Sequence, residues 1–119
     1  MGYKQLSVYE KSYKAALAVY QMSASFPKEE MYGLTGQIRR AATSIPLNIA
    51  EGYAKKESQI EFKRYLMMAI GSSDEVQVLL SFVKDLGYIE VEKYEKAIVQ
   101  YEEISKMLNG LISRVKSEI

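Results

Sequence analysis

Pro46 constrains the fold of this 119-residue chain more than any other residue, because it falls inside a stretch that otherwise reads as one helix. A proline inside a helix removes a backbone hydrogen bond and crowds the carbonyl four residues earlier, at about 3 kcal/mol. Packing of the flanking residues must therefore hold that helix in place. The stretch runs from about Glu29 or Tyr32 to Glu51, and its apolar face is Leu34, Ile38, Ala41, Ile45 and Ile49. These fall within about a quarter turn at about 100° per residue. Pro46 lies off that face, as a kink or as a restart of the helix. Thr43 and Ser44 are placed to bond carbonyls freed at the break.

Three further helices follow from the same spacing. Ser7-Val-Tyr-Glu10 has the form of a capping box and opens the first, with Tyr9, Tyr13, Ala16, Leu17 and Tyr20 as its apolar face and Phe26-Pro27 as its end. Ser58-Gln-Ile-Glu61 repeats the pattern and opens a long third helix ending near Gly87. Its stripe, Phe62, Leu66, Ala69, Ser73, Val76, Leu80 and Val83, alternates spacings of four and three, and Tyr65, Leu79 and Leu86 widen it. Gly71, Ser72 and Ser73 are small residues in mid-helix that admit a close neighbour. The fourth helix carries Val91, Tyr94, Ile98, Tyr101, Ser105, Leu108, Ile112 and Val115. Four amphipathic helices with short connections specify an all-α, single-domain antiparallel four-helix bundle with a proline-containing second helix.

Function is bounded by what is missing. The chain has no cysteine and no histidine, so it lacks the residues that most often act as general base, nucleophile or transition-metal ligand near neutral pH. Adjacent acids such as Asp74-Glu75 and Glu102-Glu103 point about 100° apart on a helix and do not converge on one ion. No catalytic set, no metal-ligand set and no cofactor is expected, and an enzyme is the class with nothing positive behind it. There is no secretory leader pattern at the N-terminus and no apolar run long enough to span a bilayer, so the expected location is the cytoplasm, away from membranes. The formal charge is +1, but residues 1–64 carry ten Lys/Arg against six Asp/Glu, and residues 65–119 six against nine. A basic face is compatible with that asymmetry.

The segment Phe26-Pro-Lys-Glu-Glu-Met-Tyr-Gly-Leu-Thr-Gly-Gln-Ile-Arg-Arg-Ala-Ala-Thr-Ser-Ile-Pro-Leu-Asn-Ile-Ala-Glu-Gly52, with Phe62-Lys-Arg-Tyr-Leu66, Ala69-Ile-Gly-Ser72 and Leu86-Gly-Tyr-Ile89, resembles the S23-like four-helix-bundle family. That family takes its name from reading frames in intervening sequences of bacterial large-subunit ribosomal RNA genes. It is similar in fold to the accessory variability determinants of diversity-generating retroelements, which form a pentameric barrel and bind nucleic acid and a reverse transcriptase. The resemblance implies the bundle, assembly into a ring-shaped homo-oligomer with a pentamer favoured, and a partner that is RNA or a nucleic-acid-processing protein. The strongly basic surface of those determinants is not shared by a chain of charge +1.

Two sets of side chains are candidate sites. Arg40, Ser44, Asn48 and Glu51 lie within an arc of about 80° and form a polar stripe beside the apolar one. The stripe reads either as a buried or half-buried ladder that bonds to neighbouring helices or a neighbouring subunit, or as an anion-binding arginine oriented by Glu51. Arg39 points away from the apolar face and joins Lys55, Lys56, Lys63 and Arg64 as a candidate nucleic-acid-binding patch. The alternative is a solvated surface interleaved with Glu57 and Glu61. Of the ten tyrosines, Tyr9, Tyr13, Tyr20, Tyr94 and Tyr101 are expected in the core or at a subunit interface. The two functions in competition are an oligomeric interaction module for RNA and a structural or protein-binding homo-oligomer with no nucleic-acid role.

Overall fold

The structure, a computed structural model, describes residues 2–117. Helix α1 spans Ser7–Ser23, α2 Leu34–Ala54, α3 Gln59–Asp85 and α4 Val91–Ser117, with short 3-10 turns at Tyr3–Gln5 and Lys28–Glu30 and no strand among the described residues. Each helix packs antiparallel on the next and α4 closes on α1, which leaves α1 diagonal to α3 and α2 diagonal to α4. The bundle measures 46 × 23 × 20 Å.

The apolar stripes of α2 and α3 form the centre. Ile38, Ala41, Ile45 and Ile49 are buried on α2, while Leu34 is half-buried. On α3 the seven stripe residues from Phe62 to Val83 are all buried, with Leu79 beside them. Tyr65 is half-buried and Leu86 is exposed. On α4, Tyr101, Ile104, Leu108 and Val115 are buried, Tyr94, Ile98, Ser105 and Ile112 are half-buried, and Val91 is exposed. Ile104 is fully buried and stood outside the expected stripe.

Helix α1 turns a different face inward from the one its large residues mark out. Val8, Ser12, Ala15, Ala16, Val19 and Ser23 are buried, whereas Tyr13 is 48%, Leu17 51% and Tyr20 43% exposed. The core-facing residues are small because α1 must seat closely against α2 and α4, and small side chains allow it. Of the five tyrosines expected in the core or at a subunit interface, Tyr101 is fully enclosed within the chain, Tyr9 and Tyr94 are half-buried, and Tyr13 and Tyr20 are exposed. The Ser7 capping box does not form either. Leu6 holds the cap position without a side-chain bond, and Glu10 instead accepts from Lys14 Nζ at 2.9 Å.

The α3 start behaves as expected, with Ser58 Oγ accepting from the Glu61 N–H at 3.2 Å. Its end is a Schellman turn: Tyr88 N–H donates to the Val83 carbonyl and Gly87 N–H to the Lys84 carbonyl. Gly87 sits at φ +80, where a side chain would be strained. Pro46 is buried inside an unbroken α2. Thr43 Oγ1 donates to the carbonyls of Arg39 and Arg40 at 3.0 and 3.1 Å. The carbonyl that loses its partner to Pro46 is that of Ala42, so Thr43 does not fill the gap.

Hydroxyls cross the middle of the bundle. Ser44 Oγ meets Ser72 Oγ at 2.7 Å between α2 and α3, and Ser73 Oγ meets Ser105 Oγ at 2.8 Å between α3 and α4 and donates to the Tyr101 carbonyl at 3.2 Å. Gly71, next to them, opens onto solvent. The tight approach of α2 and α3 lies instead at Gly52, where a Cβ would stand 2.8 Å from Tyr65 Cβ. At the end of the bundle where α3 meets α4, the α1–α2 connection is tied down. Phe26 packs on Tyr88, and Tyr88 Oη donates to Glu30 at 2.8 Å. The other oxygen of Glu30 accepts the Leu34 N–H at the start of α2. That bond to the carboxylate raises the Tyr88 pKa above its ordinary value.

Candidate nucleic-acid interface

The turn from α2 to α3 gathers four of the five basic residues singled out above. Helix α2 ends at Ala54 and Lys55 caps it, its N–H bonding back to the Gly52 carbonyl. The Ser58 cap restarts the chain three residues on, so Lys55 and Lys56 leave one helix end while Lys63 and Arg64 leave the second turn of the next. Lys55, Lys56 and Arg64 are exposed, and Lys63 is half-buried.

Tyrosines organise these cations. Lys55 Nζ lies 5.1 Å and the Arg64 guanidinium 4.7 Å from the centre of the Tyr65 ring, and Lys56 Nζ lies 3.9 Å from that of Tyr53. Cation–π attraction of this kind contributes about 0.5–1 kcal/mol at exposed sites. Arg64 also makes a forked pair with Glu61, Nε to Oε2 at 3.1 Å and Nη2 to Oε1 at 3.0 Å. That pairing lowers the Glu61 pKa and raises that of Arg64. Lys55, Lys56 and Lys63 have no ion-pair partner among the described residues. Lys63 and Arg64 border an apolar shelf of Ile60, Met67 and Met68, and with Lys55 and Lys56 on their tyrosine rings these cations can bind phosphate oxygens.

Arg39 stands elsewhere. Sixteen residues of helix separate it from Lys55, about 24 Å along the axis. It is half-buried between α1 and α2, with Nε donating to Ser23 Oγ at 2.8 Å and the guanidinium 4.7 Å from the centre of the Tyr20 ring. Arg39 is thus bound up in joining two helices, and the patch reduces to the four residues at the turn.

The polar stripe on α2 divides. Ser44 and Asn48 are half-buried and bonded: Asn48 Nδ2 donates to the Ser44 carbonyl at 2.8 Å and to Ser44 Oγ at 3.0 Å. Arg40 and Glu51 are exposed, and their side chains make no ion pair or hydrogen bond within the described chain. Within the chain, the ladder that was one of two readings of these residues forms only in its middle, at Ser44 and Asn48. The arginine that braces helices is Arg39, and the sequence signal for it was its position one turn below the small residues Ala42 and Thr43, where α1 approaches.

A groove between α1 and α2 is a second surface feature, of about 310 Å³, lined among others by Tyr9, Tyr13, Leu17, Tyr20, Pro46 and Leu47. No charged side chain lines it. No cluster of three or more acids occurs among the described residues in a geometry suited to a metal ion. Against the sequence reading that no run is long enough to span a bilayer, helix α3 is long and apolar enough by length and composition, a test that the core helix of a bundle also passes.

Comparison with known proteins gives a consistent family. The model of the 23S rRNA-intervening sequence protein family matches residues 4–110. A crystal structure of a protein of unknown function from the S23 ribosomal protein family of Bacteroides thetaiotaomicron is similar, with TM-score 0.81 and 28% identity over 89% of this chain and 95% of that one. No curated protein matches the chain.

Proposed function

The chain belongs to the 23S rRNA-intervening sequence protein family, and from that premise we propose that it is a cytoplasmic, non-enzymatic interaction module that self-assembles and binds RNA. In this reading the ring is a homo-oligomer, with a pentamer favoured, and RNA or a nucleic-acid-processing protein is its partner. The observation that carries the reading is the gathering of Lys55, Lys56, Lys63 and Arg64 at one turn, three of them free of carboxylate partners. Cations in that arrangement contact phosphates and release counterions, which gives binding its salt dependence. Near-neutral net charge limits the effect to this local patch, so affinity is modest and falls with salt.

The test is fluorescence anisotropy with a labelled structured RNA across a salt series, comparing the wild type with a variant carrying Lys55→Gln, Lys56→Gln, Lys63→Gln and Arg64→Gln. The wild type is expected to bind saturably, and the variant to bind more weakly with a log–log salt slope flatter by up to about 3. No binding at low salt would overturn the RNA reading. Equal binding by the variant would move the contact away from this turn.

The second reading is a protein-binding homo-oligomer without a nucleic-acid role. It is favoured by the uncharged α1–α2 groove and by the apolar outer side of α3, which are suited to protein rather than to phosphate.

A further inference from the structure

We infer that the N-terminal end of α3 takes unpaired nucleotides, with bases on its apolar shelf and phosphates on the cations set into that shelf. The inference deepens the RNA reading above, naming single-stranded RNA as the substrate class, and rests on it. The shelf is built by Ile60, Met67 and Met68, which are 73%, 56% and 44% exposed, and Lys63 and Arg64 line it with them. At about 100° per residue the five side chains fall within about 140° of the helix circumference and alternate along its axis. Ile60 comes first, Lys63 and Arg64 about one turn on, and Met67 and Met68 a turn after that. The depression they border has a volume of about 450 Å³, within the range that holds drug-sized ligands.

Arg64 is held ready in this arrangement. Glu61 takes its Nε and Nη2, which leaves Nη1 directed at Met68 Sδ, 3.7 Å away. A guanidinium plane fixed at an apolar surface is a stacking partner for a base as well as a donor to phosphate. The same guanidinium shares the Tyr65 ring with Lys55, so the shelf is continuous with the cations of the α2–α3 turn.

Interleaving of charge and apolar surface selects the occupant. A duplex turns its base faces inward onto one another and offers phosphate and sugar outside, which suits lysine and arginine but leaves Ile60, Met67 and Met68 without an apolar counterpart. An anionic lipid surface separates charge from hydrocarbon in two layers, and so fits a helix whose cations and apolar residues lie on different sides. Here they share one side. A single strand carries a phosphate and a flat base on every nucleotide and presents both to one face when its bases are unstacked. Its negative charge complements Lys63, Arg64 and the two turn lysines.

Anisotropy with three labelled probes tests this: a short RNA without self-complementarity, the same strand annealed to its complement, and a strand of equal length with abasic sugars. The wild type is expected to bind the intact single strand about tenfold more tightly than either of the others, at the lower end of what base stacking contributes. Combining Ile60→Gln with Met67→Gln, both at exposed helical positions, is expected to cancel that preference and to leave the salt slope unchanged, because no phosphate contact is lost. Duplex or abasic binding equal to that of the intact strand would overturn the assignment and leave RNA binding at the turn standing. Full single-strand affinity in the double variant would overturn it too. No binding of any probe at low salt would remove both readings. Cosedimentation with phosphatidylserine vesicles that the double variant loses, beside unchanged RNA binding, would give the shelf to a lipid surface instead. The abasic probe needs only the wild type, so the test stands should the double variant fail to fold.

Discussion

Helices α1 and α3 both carry more apolar surface than one core can hide, and they distribute it in opposite ways. Helix α3 turns large residues inward, Phe62, Leu66, Val76, Leu80 and Val83, and leaves a second set of large residues outside. Helix α1 turns small ones inward, Ser12, Ala15 and Ala16 among them, and leaves Tyr13, Leu17 and Tyr20 outside. The difference reflects position. Helix α3 touches α2 and α4 and fills the space between them, so its side chains must be bulky. Helix α1 lies against its neighbours as a strip, and its stability comes from close approach rather than from volume.

That contrast can be broken most forcefully in α3. Leu66→Ala empties a site that is fully enclosed and is expected to cost about 2–5 kcal/mol in urea unfolding; a loss below about 1 kcal/mol would mean the interior collapses freely around it. In α1 the harmful change runs the other way. Ser12→Leu adds bulk where none fits and is expected to cost about 1–3 kcal/mol, measured in the same titration, and a neutral outcome would show that α1 can move away from the core.

The helix starts sharpen the comparison at smaller scale. Ser58→Ala removes the side-chain bond that caps α3 and is expected to cost about 1 kcal/mol. Ser7→Ala removes a hydroxyl that caps nothing and is expected to change stability by less than about 0.5 kcal/mol. Equal effects of the two would contradict the difference in capping described above.

At neutral pH the effect of Tyr101→Phe is also small, and it differs from the others in not being destabilising. The Tyr101 hydroxyl is buried without a hydrogen-bond partner, so its removal is expected to be neutral or slightly stabilising, within about 1 kcal/mol. Burial raises its pKa above the ordinary 10.0. The folded state therefore holds the proton more tightly than the unfolded state, and the stabilisation present below about pH 10 is lost as the pH rises above it. Alkaline titration of unfolding is expected to show the wild type losing stability faster than Tyr101→Phe above that pH. Parallel curves would place the hydroxyl in contact with water.

Much of this was legible before any coordinates. The stripes of α2 and α3 were readable because Ile, Leu, Val and Phe at spacings of three and four have one physical use, and the Ser58 cap and the Gly87 stop follow from local chemistry. The inward face of α1 was not, because counting apolar bulk favours Tyr13, Leu17 and Tyr20 over Ala15 and Ser12. A tyrosine can leave its ring half in water, whereas a small residue is chosen by what approaches it. For the same reason Arg39 and Arg40 exchanged places. Both sit on the polar flank of α2, and only the position of α1 decides which one is clasped. The four cations at the α2–α3 turn are close in sequence, so their grouping was legible. The separation of Arg39 from them followed once α2 ran unbroken through Pro46.

The serine bridges across the bundle carry a further consequence. Apolar contact is indifferent to sliding, and a helix as greasy as α3 has several nearly equivalent registers against its neighbours, one turn, about 5.4 Å, apart. Ser72 and Ser73 lie side by side and point to opposite partners, Ser44 on α2 and Ser105 on α4. A slip of either neighbour strands a half-buried hydroxyl, so the paired serines act as a vernier that reads one alignment and rejects the rest.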